Sequence, residues 1–237
     1  MNVLAVDTSG EQGSVALARE GLLLEVVALP LGWSSTALHL EIARLLGQHG
    51  LATGDIQGYG VTTGPGSFTG VRVGLTAVKG LAEVHGVRIV PVSTLEVLAA
   101  AAKSTGRVSK QAAIVTLLDA RRGQVFGAVY QEKDGCWKPL IEDCVGPLRP
   151  FLERVSACTG KAAVQDTAFC GTDLAPFIPE IEQAGWAGAL MVPIPPLLAG
   201  PLAQIAMRGL QQGLGVESAD AQANYVRASD AELFWKA

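Results

Sequence analysis

Several residue types that carry chemistry or mark a particular environment are scarce in this chain of 237 residues. It has four cysteines, none of them in a C-x-x-C pair. All four lie in the second half: Cys136, Cys144, Cys158 and Cys170. This pattern favours reduced, buried thiols over disulfides or a structural zinc site. No Ser–His–Asp or Cys–His set is apparent, so a peptidase is disfavoured.

Histidine is scarcer still, and its spacing does not suit a metal site. The three histidines are His39, His49 and His85, and no two form an H-x-x-x-H pair. A metal cluster needs two or more ligands on one face. Each histidine is therefore expected to be a surface or locally hydrogen-bonded residue, and no metal is expected.

Charge is low and has no basic excess. Charged residues make up 17% of the chain, the net charge is −4, and no run of Lys or Arg stands out. A protein that holds nucleic acid by itself needs a basic surface, so nucleic acid is expected only through a partner. No segment approaches the roughly 20 apolar residues of a membrane span, and no signal peptide is recognisable. We expect a cytoplasmic protein without membrane contact.

The two halves of the chain repeat one order of elements, βββαβαβα. The first half predicts strands at 2–6, 13–18, 22–29, 58–62 and 88–92, with helices at 35–49, from 68 and from 93. The second half predicts strands at 113–118, 124–131, 137–144, 167–171 and 190–193, with helices at 147–157, 173–184 and 196–212. Antiparallel meanders joined to crossover helices predict an α/β fold with mixed sheets flanked by helices. The polar segment 102–111 predicts two domains, 1–104 and 105–237.

Two such units in tandem resemble the RNase H-like, actin-like ATPase superfamily, which includes sugar kinases and Hsp70. In that superfamily the acidic residue after the first strand of each half faces a nucleotide phosphate and its metal. Asp7 and Asp119 occupy those positions, and Thr8, Ser9 and Gly10 complete the first loop as weak candidates for nucleotide binding. The alternative is that both carboxylates organise turns through bonds to nearby backbone N–H groups.

The glycine-rich stretch GPGSFTGVRVGLTAVKG, residues 64–80, does not match a phosphate-binding loop. It lacks the G-x-x-x-x-G-K-[ST] spacing and has one residue too many for G-x-G-x-x-G. A tight bend at 64–66 and an N-cap at Ser67 instead predict a helix from Phe68. This helix has an apolar stripe and, next to it, a stripe of small residues that includes Gly70 and Gly74. Two alternatives remain open for these stripes: they pack on the chain's own sheet, or they pack on a partner protein.

Five motifs together resemble the TsaB family, also called YeaZ. They are LAVDTSGEQGSVAL (4–17), GPGSFTGVRVGLTAVKGLA (64–82), PVSTLEVLA (91–99), DARRGQVFGAVY (119–130) and NYVRASD (224–230). The resemblance runs nearly end to end. It implies a non-catalytic subunit of the machinery that makes threonylcarbamoyladenosine in tRNA, with an older glycoprotease label that should not be carried over.

The resemblance also implies partners. It predicts a heterodimer with the catalytic TsaD-type subunit, recruitment of a TsaE-type ATPase, a homodimer when alone, and tRNA contact only through the complex. No cofactor is expected in the isolated chain, and a nucleotide is possible at the interface of the complex. The partner surface predicted on the two long N-terminal helices comprises Leu38, Ile42, Leu45, Leu46, Phe68, Val71, Arg72, Gly74, Leu75 and Val78. The alternative function is an ATPase or kinase that uses Asp7 and Asp119.

Overall fold

A computed structural model describes residues 1–133, 135–159 and 164–226. The chain divides into two compact units. The first comprises Met1–Val97 and Pro195–Asn224, and the second comprises Leu98–Ile194 and Tyr225–Ala237. This division differs from the predicted domains in two respects: the first boundary falls at 97/98 instead of 104/105, and residues 195–224 belong to the first unit instead of the second.

The first unit is built on a mixed five-stranded sheet. Its strands are β1 (Asn2–Asp7), β2 (Ser14–Arg19), β3 (Leu22–Ala28), β4 (Gly58–Thr62) and β5 (Arg88–Val92), in the order β3-β2-β1-β4-β5. β1 pairs antiparallel with β2 and parallel with β4. The helices after β3, β4 and β5 are α1 (Ser35–Gln48), α2 (Phe68–His85) and α3 (Thr94–Ser104), and a single 3-10 turn spans Thr53–Asp55.

Both faces of this sheet are covered, which explains why β4 is buried along its whole length. Tyr59 and Val61 belong to the core beneath α1 and α2. The helix α6 (Ala199–Gln211) lies on the other face. A Cβ at Gly60 would lie 2.6 Å from the Cβ of Ala206 in α6, so the glycines of β4 mark a close approach between strand and helix.

The second unit repeats the topology of the first. Its strands are β6 (Ala113–Asp119), β7 (Val125–Lys133), β8 (Cys136–Gly146), β9 (Thr167–Gly171) and β10 (Leu190–Pro193), in the order β10-β9-β6-β7-β8. α4 (Leu148–Thr159) follows β8. The helix predicted at 173–184 is shorter, with a four-residue α5 (Ile178–Ile181) and a π-helical turn at Glu182–Trp186. Phe169 and Trp186 meet edge to face, with ring centroids 5.5 Å apart, in the core of this unit.

The repeated strand order confirms the predicted fold class. None of the helices in the described part of the chain is long and apolar enough to cross a membrane.

Candidate functional site

The loop after β1 begins with a buried carboxylate. Asp7 is 1% exposed, and its Oδ1 accepts bonds from the Ser9 N–H at 3.1 Å, the Ser9 hydroxyl at 2.7 Å and the Thr62 hydroxyl at 2.8 Å. Its Oδ2 is buried and has no hydrogen-bond partner among the described residues. Burial raises the pKa of Asp7, although the bonds from Ser9 and Thr62 oppose the rise. Asp7 therefore joins the ends of β1 and β4 in one buried hydrogen-bond network.

The same loop packs against the start of α2, where glycine makes room for it. The bend and N-cap predicted before α2 are confirmed, because the Ser67 hydroxyl accepts a bond from the Gly70 N–H at 3.2 Å. The Thr8 hydroxyl donates to the Gly70 carbonyl at 2.8 Å. A Cβ at Gly70 would collide with the Thr8 carbonyl oxygen, and one at Gly74 would collide with the Thr8 hydroxyl. Of the two alternatives left open by the sequence, internal packing is therefore the one that explains Gly70 and Gly74.

The raised pKa of Asp7 predicts a pH dependence of stability that an asparagine would remove. The folded chain holds the Asp7 proton more tightly than the unfolded chain, whose carboxyl titrates near 3.8. Wild-type stability therefore loses this contribution as pH rises from that value through the folded-state pKa. Asp7→Asn keeps an oxygen acceptor but cannot ionise. Urea unfolding of both proteins across a pH series should show the stability of the variant rising relative to that of the wild type as pH increases above about 4, and a constant difference would contradict this account.

The corresponding loop in the second unit is more exposed. Asp119 ends β6, and its Oδ1 accepts a bond from the Arg121 N–H at 2.7 Å. Its Oδ2 lies 3.4 Å from Nη1 of Arg121. Asp7 and Asp119 thus each bond to the backbone N–H two residues on, which is the turn-organising geometry proposed as the alternative to nucleotide binding. Thr8 and Ser9 are buried beside Asp7, whereas Gly10 is exposed.

Most of the predicted partner surface lies inside the first unit. Eight of its ten residues are buried, among them all four on α1. The eight are Leu38, Ile42, Leu45, Leu46, Val71, Gly74, Leu75 and Val78. Phe68 and Arg72 are exposed, and the Arg72 guanidinium carbon lies 3.7 Å from the centroid of the Phe68 ring. The prediction is thus corrected at eight positions, which face the interior of the chain's own unit, and of the predicted surface only Phe68 and Arg72 are exposed.

The sides of α1 and α2 opposite these buried residues carry a surface that we call the outer face, defined by six residues. On α1 it comprises Leu40, Ala43 and Gly47, and on α2 it comprises Val73, Thr76 and Gly80. The spacing is i, i+3, i+7 on both helices, which aligns the residues on one side of each helix. Leu40 is 65% exposed. The two helices contact each other. Five of the six residues are exposed, and Val73 is half-buried and packs against the core.

The glycines of the outer face have no internal reason to be glycine. A Cβ at Gly80 or at Gly47 would meet nothing within 4 Å. Gly80 lies well inside α2, where glycine is less favourable than alanine by roughly 1 kcal/mol. Pattern reasoning missed these positions because it followed the apolar stripe. The signal that could have found them is a mid-helix glycine outside that stripe.

The three histidines are held by separate local contacts. Nδ1 of His39 lies 2.7 Å from the carbonyl oxygen four residues earlier, and Nε2 of His49 lies 2.9 Å from Oε2 of Glu25. Nε2 of His85 lies 3.1 Å from a threonine hydroxyl. Across residues 1–133, 135–159 and 164–226, no three His, Cys, Asp or Glu side chains form a group that could hold a metal ion.

The cysteines are free thiols, and two of them are poorly suited to act as nucleophiles. Burial raises the pKa of both Cys158 and Cys170. A raised pKa lowers the fraction of thiolate, which is the reactive form.

Two mixed five-stranded sheets of identical order, each with an acidic residue at the end of its first strand, define an α/β protein of the actin-like class. A family model described as "TsaD: tRNA N6-adenosine threonylcarbamoyltransferase" matches residues 34–182. The chain belongs to the TsaB (YeaZ) family, as its relatives show.

Three relatives carry that assignment. The "tRNA threonylcarbamoyladenosine biosynthesis protein TsaB" of Escherichia coli (strain K12) is 32% identical over 164 residues, 68% of this chain and 69% of that protein. The protein of the same name from Bacillus subtilis (strain 168) is 36% identical over 155 residues, 65% of each chain. The solved structure of YeaZ from Pseudomonas aeruginosa is 26% identical with a TM-score of 0.74, and the match covers 94% of this chain and 100% of that chain. The chain thus spans about two thirds of the length of the two named TsaB proteins.

Proposed function

We propose that this chain is a non-catalytic subunit of the machinery that transfers a threonylcarbamoyl group to N6 of the adenosine beside the tRNA anticodon. It pairs with a TsaD-type catalytic subunit through the outer face of α1 and α2, and the pair recruits a TsaE-type ATPase. Membership of the TsaB family and the match to the TsaD model support this proposal. Since the substrate is tRNA, we place the protein in the cytoplasm.

The observation that carries the proposal is the pair of outward glycines. A helix–helix contact becomes closer when small residues line it, because the axial distance is set by the side chains between the helices. Gly80 and Gly47 leave shallow spaces on the outer face, because neither position has a side chain and no neighbouring atom of the chain lies within 4 Å of where a Cβ would be. A partner helix lying across the two positions would bury Leu40 and the exposed side of α2. The unfavourable helix propensity of these glycines is then offset in the complex.

Charged side chains surround the outer face, as expected for the polar rim of an interface. Arg44 pairs with Glu41 at 2.7 Å and donates to Gln48 at 2.9 Å, so it is held against α1. Arg72 lies against the Phe68 ring at the start of α2. An apolar centre with a polar rim is the usual composition of a protein–protein interface. In the absence of the TsaD-type subunit, we expect two copies of the chain to pair through this same surface.

The geometry around Asp7 supports a non-catalytic role. A catalytic carboxylate of the actin-like class must reach a metal-bound phosphate. Asp7 is instead buried, accepts three bonds from its own chain and lies beside the Thr8–Gly70 contact. We assign any nucleotide requirement to the assembled complex. Calorimetry with ATP and Mg²⁺ tests this: the isolated chain should show no binding that disappears in Asp7→Ala, and such binding would favour the ATPase or kinase alternative.

A reconstitution with and without this chain tests the proposed function. The chain and a TsaD-type subunit should elute together in size-exclusion chromatography with light scattering. Modified adenosine, measured by mass spectrometry of digested tRNA, should form with TsaD-type and TsaE-type proteins only when the chain is present. Equal modification in its absence would refute the proposal.

A further inference from the structure

Two glycines weaken the first half of α2. Gly70 and Gly74 both lie within the helix, where glycine is the least favourable residue apart from proline. The first four N–H groups of any helix also lack partners within that helix. The start of α2 is therefore expected to fray unless another part of the chain holds it in place.

The loop after β1 supplies this support at three points. The Ser67 N–H, at the N-cap, donates to the Ser9 carbonyl at 2.7 Å. The Thr8 hydroxyl donates to the Gly70 carbonyl at 2.8 Å. The Thr8 hydroxyl also lies against Gly74, where a Cβ would collide with it. Residues three and four positions apart share one side of a helix, so the loop contacts one side of α2 along its first two turns.

The loop is in turn bound to the sheet. Oδ1 of Asp7 accepts two bonds from Ser9 and one from the Thr62 hydroxyl in β4. Thr8 and Ser9 are both buried. A Cβ at Gly66, in the bend before α2, would collide with the Ser9 carbonyl oxygen. Because the loop is bound to β1 and β4, its contacts fix the start of α2 relative to the sheet.

The part of α2 that these contacts hold leads directly into the outer face. Val73 and Thr76 lie three and six residues after Gly70, so the direction of the helix at Gly70 determines where they point. A surface that is already ordered loses less conformational entropy when it binds, and its affinity is higher for that reason. A firmly held helix start is therefore expected to strengthen pairing through the outer face.

We propose that Thr8 is a positioning residue for the proposed interface. Its hydroxyl, together with the Ser9 carbonyl, fixes the start of α2 in the orientation that the partner subunit binds. The inference rests on the proposed function and adds to it a role for the loop after β1. This loop acts through α2 and does not itself touch the partner.

Thr8→Ala and Thr8→Ser test this role, because both remove the methyl group and only alanine removes the hydroxyl. The Kd for the TsaD-type subunit, measured by biolayer interferometry, should increase about fivefold for Thr8→Ala, which is the factor that one net hydrogen bond contributes. Thr8→Ser should bind within about twofold of the wild type. In the monomeric chain, amide hydrogen exchange in peptides from the first turns of α2 should be faster for Thr8→Ala only.

A matched pair of variants in the second unit separates positioning from overall stability. The Thr116 hydroxyl, in β6, donates to the Ala128 carbonyl at 3.3 Å, and Thr116 is fully buried. Thr116→Ala thus removes a similar bond far from α2 in the sequence, and both it and Thr116→Ser should bind within about twofold of the wild type. Equal weakening by Thr116→Ala and Thr8→Ala would overturn the inference.

Two further results would also overturn it. One is wild-type affinity in Thr8→Ala, and the other is binding by Thr8→Ser as weak as that of Thr8→Ala. The wild type in the same experiment separates this inference from the proposed function. If the wild type does not bind the TsaD-type subunit, both fail, whereas equal binding by the wild type and Thr8→Ala removes only the positioning role.

Discussion

Replacing Gly80 by tryptophan is expected to separate this chain from the proposed TsaD-type partner while leaving it folded. The side chain enters open space in the isolated chain, since a Cβ at this position meets nothing within 4 Å. In the complex it would occupy the space of the partner helix. Disrupted packing at the centre of an interface typically weakens binding by at least about 2 kcal/mol, or roughly 30-fold. Light scattering should show separate species, and tRNA modification should fall to the level without the chain.

A matched substitution elsewhere tests whether a loss of pairing is caused by the position of the tryptophan or only by its bulk. Ala157 is exposed on α4 in the second unit, and Ala157→Trp should leave pairing and modification unchanged. The same experiment on the chain alone should show a wild-type mass of about twice 24.6 kDa and a monomeric Gly80→Trp variant. Pairing of Gly80→Trp at wild-type affinity would exclude the outer face as the interface.

Two glycine-to-alanine substitutions in α2 are expected to change stability in opposite directions. Gly70→Ala places a methyl group against the Thr8 carbonyl oxygen and disturbs the 2.8 Å bond from the Thr8 hydroxyl. Backbone atoms cannot rotate away, so overpacking should destabilise the fold by about 1–3 kcal/mol in spite of the better helix propensity. Gly80→Ala meets open space within its own chain and should stabilise the monomer, measured at protein concentrations too low for pairing, by roughly 0.5–1 kcal/mol.

Urea unfolding of the two variants and the wild type measures both effects. The midpoint should fall for Gly70→Ala and rise for Gly80→Ala, with the slope of the transition unchanged. A destabilised Gly80→Ala would mean that this glycine has an internal packing role, which would remove the main support for the outer face. A stable Gly70→Ala would show that the Asp7–Ser9 loop can move away from α2.

The fold could be predicted from the sequence because its signals are local. Strands of alternating or continuous apolar character, separated by turn residues, recur in the same order in both halves, and the sheets follow that order. The placement of α6 could not be predicted, since no local signal says which sheet an amphipathic helix covers. Gly58 and Gly60 in β4 hint at it, because glycine within a strand often marks the close approach of another element.

The candidate site was only partly predictable, for a physical reason. A helix in an α/β unit must bury one stripe on its own sheet, so its apolar residues identify the core side. The interface assigned to Val71, Leu75 and Val78 followed that stripe, and these residues are buried. The proposed partner side is distinguished by small residues such as Gly80. Whether a small residue faces open space or its own chain, as Gly74 does, depends on three-dimensional packing.

Hydrogen exchange of this chain, with and without the TsaD-type subunit, tests the central claim most directly. Pairing through the outer face predicts slower amide exchange in peptides covering Ser35–Gln48 and Phe68–His85, the two helices that carry it. Peptides from β6 to β10 should exchange at the same rate in both samples. Protection confined to the second unit, or no protection in a complex shown to have formed, would contradict the account.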